Sequence, residues 1–211
     1  MTVADDPTPY RDMIHRWHLE KKNPGQERSE VVEPIVWWIE NTTPHEFRDA
    51  IKEGVLAWNK AFEKAGMINA IDVQVQPDDA SWDAGDIRYN VLRWTSSPRP
   101  PFGGYGPSFV NPRTGQILGA DIMLEYVYFT NRVKYQKIYE TFSSGFSDIS
   151  LEGCQAGEML QQGNMFGLLA AGSSLQDYSQ LEQHKIIYES LVKLTLHEVG
   201  HTLGLSQNFF A

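Results

Sequence analysis

The chain has 211 residues, of which 41% are hydrophobic and 21% charged, the balance of an ordinary globular domain large enough to bury its own core. Eighteen Lys and Arg against 27 Asp and Glu give a net charge of −9, which argues against a nucleic-acid binder because phosphate neutralisation needs a basic surface. The single cysteine, Cys154, excludes an internal disulfide and a cysteine-built zinc site; no run approaches the ~20 apolar residues of a membrane span.

The first residues, Met1 to Asp6, are acidic without an apolar centre and do not read as a signal peptide. Residues 1–30 are polar and turn-rich, an arm ahead of a domain spanning 31–211. Ile35-Val36-Trp37-Trp38-Ile39 reads as a buried strand, with both tryptophans, and Trp58 later, as core. Thr43 and Glu46 form a capping-box pattern around Pro44, and Phe47, Ile51, Val55, Trp58 and Phe62 recur on one helical face. One amphipathic helix over 44–65, ended by Gly66, follows. Ile71–Val75 and Ile87–Trp94 are expected strands. Asn111-Pro112-Arg113-Thr114-Gly115 is turn chemistry joining 108–110 to 116–125 as a hairpin. Residues 127–178 read as helical in parts, and a long helix runs from about Gln180 to Leu203. Strands, helix, strands and then helices make the class α+β, with no repeats.

Several groups invite a functional reading and have a plainer one. His15 and His18 on the arm are most simply solvated. The acidic stretch Asp78–Asp86 lacks the pattern of a calcium loop and reads as a turn with capping aspartates. Gly103-Gly104-Tyr105-Gly106 is no phosphate loop, since no Gly-Lys-Ser/Thr follows; it is a flexible loop or a cleft rim. Nothing orients a base towards Cys154, which reads as a spectator thiol.

The chemistry concentrates on the last helix, in His197-Glu198-Val199-Gly200-His201. Histidines four apart stack on one face, so both imidazoles can reach a single zinc ion at roughly 2.0–2.1 Å. Glu198, about 100° further round the helix, lies near the metal without having to bind it, placed to take a proton from metal-activated water and pass it to a leaving amine. Ile187, Leu191 and Leu194 supply the buried stripe. Gly200 leaves room for a close neighbour, and Gly204 is placed to end the helix and turn the chain back.

His197-Glu198-Val199-Gly200-His201-Thr202-Leu203-Gly204 resembles the first eight positions of the metzincin motif, His-Glu-x-x-His-x-x-Gly-x-x-His. The wider chain resembles a group of large bacterial zinc-dependent metallopeptidases related to metzincins. That likeness rests on Arg16–Lys22, Ile51–Phe62, Asp86–Tyr89, Asn111–Leu118 and Leu205 with Asn208-Phe209, and is weakest over 127–180. It implies a zincin-like twisted mixed sheet with a backing helix and a long active-site helix. It also implies a peptide or protein substrate paired to an edge strand near Ile117–Leu124. It further implies an exported bacterial protein without its leader, and a C-terminal subdomain with a methionine turn beyond residue 211. The metals and roles implied are Zn2+, His197 and His201 as ligands and Glu198 as general base. The third ligand position, histidine in metzincins, is Gln207 here, and an amide oxygen is a poorer zinc ligand than imidazole. The readings are therefore a zinc peptidase, a weak or inactive peptide-binding pseudo-protease, or a zinc peptidase of the other large branch with a glutamate ligand further along.

Overall fold

The computed structural model describes residues 13–97, 104–125 and 180–206, with backbone alone for 180–184 and 186. Residues 127–178, Cys154 and Gln207 lie outside the described residues. Among the described residues, eight strands and three helices follow in chain order: β1 Ser29–Glu30, β2 Ile35–Ile39, α1 His45–Leu56, α2 Asn59–Lys64, β3 Met67–Ile68, β4 Ile71–Val75, β5 Asn90–Thr95, β6 Gly104–Tyr105, β7 Ser108–Val110, β8 Ile117–Glu125 and α3 Gln180–Thr202. The class is α+β with a mixed sheet. The main sheet runs β4-β2-β5-β8-β6. Its first four strands are parallel, while β6 and β7 both pair antiparallel to β8.

One face of this sheet is the core. Alternation along β2 sends Ile35, Trp37 and Ile39 inward, where they meet Ile71 and Val73 of β4, Leu92 of β5 and Ala120, Ile122 and Leu124 of β8. Over that face lie α1, through Ala50, Ile51 and Val55, and α3, through Leu191, Leu194 and Val199. The two helices cross closely at Gly54, where an added Cβ would fall 2.7 Å from the Val192 carbonyl oxygen and 2.8 Å from Thr195 Cβ. Ile187, placed in the same stripe by its spacing, is only half-buried.

Four expectations need correction. The helix over 44–65 is two helices, because Trp58, Lys60 and Ala61 donate their backbone N–H to carbonyls three residues back. Long-range bonds hold that tightened turn: the Trp58 indole donates to the Leu196 carbonyl (2.8 Å), and the Asn59 amide exchanges two bonds of 2.9 Å with the backbone of Ile71. The capping box does not form either. Pro44 occupies the N-cap without a side-chain bond, and Arg48 instead donates to the carbonyls of Thr43 and Asn41, both at 2.8 Å. The strand expected from Ile87 starts at Asn90, because Asp86 accepts from the Arg88 backbone and guanidinium and folds 86–89 into a turn. Finally, Trp38 belongs to the other face of the sheet, half-buried in an aromatic cluster with Trp82 and Tyr89, whose rings stack 3.9 Å apart.

The arm is docked from Met13 onward. Arg16 bridges to Gln116, Trp17 and Leu19 pack against the core cluster, and β1 pairs parallel with β3.

Candidate metal site

The last two turns of α3 carry the site. Trp58 lies against Gly200, where an added Cβ would sit 2.9 Å from the indole ring, so the glycine between the histidines is what admits the tryptophan. The helix stops at Gly204, whose φ of +91° is open to glycine and strained for other residues. Its N–H bonds to the His201 carbonyl and the N–H of Leu205 to that of Gly200, the paired bonds of a Schellman motif.

That turn has a chemical consequence. It brings the Leu205 carbonyl to 2.9 Å from His201 Nδ1. A carbonyl only accepts, so Nδ1 carries the hydrogen and, in the neutral ring, Nε2 presents a lone pair. His201 Nε2 stands 3.0 Å from His197 Nε2, with the two rings nearly perpendicular. Two nitrogens bound to one tetrahedral zinc would be about 3.3 Å apart, close to the separation found here. Burial, and to a lesser degree the neighbouring His201, pushes the His197 pKa below the ordinary histidine range, which favours the neutral, ligating form.

Glu198 is buried, 1% exposed, between α3 and β6. A Cβ at Gly104 would lie 2.8 Å from both its Cγ and Oε1, and one at Gly106 would lie 3.0 Å from its carbonyl oxygen. The glycine-rich segment is thus a wall packed on the C-terminal turns of α3. Its signal was available as paired glycines two residues apart, one face of a strand, but nothing local shows what approaches them.

The wall also changes which strand forms the edge. β8 has β5 on one side and β6 and β7 on the other, because 104–110 returns antiparallel along it through the 111–115 turn. Among the described residues the outer strands near the site are therefore β6 and β7 and not Ile117–Leu124.

Comparison with family models, curated protein sequences and solved structures gives no match. The local chemistry carries the functional argument.

Of the predicted site residues, His197, Glu198 and His201 come together at one end of α3, and Gln207 lies outside the described residues. Among the described residues no group of three or more His, Cys, Asp or Glu converges. His18 pairs with Glu20 at 3.1 Å on the surface, and His15 is exposed. In the acidic stretch, Asp83 accepts from the Gly85 N–H and Asp86 from Arg88, the turn-capping role expected of them. Among the described residues no helix is long and apolar enough to cross a membrane.

Proposed function

We propose that this chain carries the metal-binding helix of a metzincin-like zinc peptidase, with His197 and His201 as ligands and Glu198 as general base and acid. One observation carries the reading: the His197 and His201 Nε2 atoms face each other at 3.0 Å, with the His201 tautomer set by the Leu205 carbonyl. Such backing of a ligand imidazole by a carbonyl is the usual support of a metal site.

Zinc bound there supplies a Lewis acid for a peptide carbonyl and lowers the pKa of water to roughly 7. The remaining work falls to side chains of this chain. Glu198 takes a proton on a carboxylate oxygen and returns it to the leaving amine, and its placement between helix and wall excludes bulk water. In this reading an extended peptide lies alongside β6 and β7, the strands outside β8 among the described residues. Gln207 is the third ligand in this reading.

The pseudo-protease alternative is favoured by one specific feature, Gln207 standing where a histidine would bind the ion more tightly. A fluorogenic peptide library separates the two. Hydrolysis by the zinc-loaded chain that disappears in Glu198→Ala, with zinc still bound, supports the enzyme. Peptide binding without hydrolysis supports the alternative. Gln207→His is expected to tighten zinc binding, and an unchanged titration would show that residue 207 does not reach the metal.

A further inference from the structure

The carbonyls at the end of a helix have no partner within it, and those of α3 are all accounted for, one of them from the far end of the chain. The Val199 carbonyl accepts from the Leu203 N–H and the Thr202 hydroxyl, that of Gly200 from Leu203 and Leu205, and that of His201 from Gly204. The Thr202 carbonyl accepts the indole N–H of Trp17 at 2.8 Å, across 185 residues of sequence. Next to it, the His15 carbonyl packs so tightly on Gly204 that no side chain would fit there. The same strap is anchored to the hairpin on its other side: Arg16 donates to the Gly115 carbonyl at 3.1 Å, and Ile117 donates to the Arg16 carbonyl at 2.9 Å.

We infer that the strap of residues 13–19 sets the His201 ligand, with Trp17 as its positioning residue. The connection is short. Trp17 and His15 hold the Schellman turn from outside, the turn aims the Leu205 carbonyl, and that carbonyl selects the His201 tautomer and ring angle. Leu205 is 52% exposed, so water competes for its carbonyl whenever the turn loosens. The tautomer claim is independent of zinc; its consequence for metal affinity rests on the reading given under Proposed function.

The test uses the full chain without metal at pH 8, where the His201 tautomer is read from its ring 15N shifts, alongside zinc affinity by competition with a chromophoric chelator. Wild type is expected to hold the Nδ1–H form. Trp17→Phe keeps an aromatic ring and removes the donor, and is expected to shift His201 towards the mixed tautomers of free imidazole and to weaken zinc by about tenfold, the lower end of outer-shell effects. Gly115→Ala acts on the other anchor, placing a Cβ against the Ile14 carbonyl at a φ of +74°, and is expected to shift the tautomer likewise without touching α3. His18→Ala, on the exposed side of the strap, is expected to change neither reading. A tautomer shift with no zinc bound by any form would uphold the strap and overturn the zinc reading. A wild-type Nδ1–H signal that persists in Trp17→Phe or Gly115→Ala, with far-UV circular dichroism intact, would overturn the strap.

Discussion

Glu198 and Gly104 form a pair in which the smaller residue makes the larger one's position possible. A methyl group at residue 104 would meet the Glu198 side chain well inside contact distance. Gly104→Ala is therefore expected to move the carboxylate and lower peptide turnover by at least about tenfold, since a displaced general base forfeits part of the 10²–10⁴ such groups contribute. Zinc affinity should be unchanged, because the atoms nearest an added Cβ at residue 104 all belong to Glu198; parallel turnover and zinc titrations check the separation. Asp121 offers a test at the same scale, away from the site. Burial raises its pKa, against smaller lowering by the Val91 N–H and the charge of Arg93. A raised acid holds its proton more tightly folded than unfolded, so its contribution is complete below the unfolded value near ~3.9 and is lost as pH rises through the folded value. Asp121→Asn, which keeps an oxygen for the Val91 N–H, is expected to raise the urea midpoint at pH 7 and to lose that advantage near pH 3. Equal gains at both pH values would contradict it.

At the scale of elements, α3 depends on how closely α1 and the strap approach it. Gly54 is the point of contact with α1, and Gly54→Ala forces a Cβ onto Val192 and Thr195. Overpacking of this kind costs about 1–3 kcal/mol, more than the helix propensity alanine gains, so the denaturation midpoint should fall. A rise would mean that the helices have room to separate. Much of α3 was legible in the sequence, because Leu191 and Leu194 keep helical spacing and Gly200 and Gly204 mark a close neighbour and a stop. The break after Leu56 was not, since residues 44–65 satisfy a single helical pattern. What divides them is the Trp58 bond to Leu196, 138 residues away, and the clasp of Asn59 on Ile71. The start of β5 was missed for a different reason: Ile87 and Tyr89 alternate like a strand, but the Asp86–Arg88 turn overrides that pattern.

In the whole molecule, a sheet, two crossing helices and an N-terminal strap meet at one end of α3. The strands β2 and β4 and the hairpin were readable because alternation and turn residues are local signals. The wall over Glu198 and the strap under Gly204 were not, since glycines announce a close approach without naming the partner. For the site, the spacing of His197 and His201 was sufficient to place their side chains together, whereas the edge strand was misassigned because Gly104–Tyr105 extends the hairpin's pairing along β8, which no local signal shows. The proposed function stands on these two imidazoles holding zinc. The most direct measurement is zinc stoichiometry by elemental analysis of the purified chain after mild dialysis, with His197→Ala and His201→Ala alongside. Close to one zinc per wild-type chain is expected, with loss of the metal in either variant. A wild-type chain that stays metal-free after zinc is added back, or variants that retain zinc as well as wild type does, would contradict it.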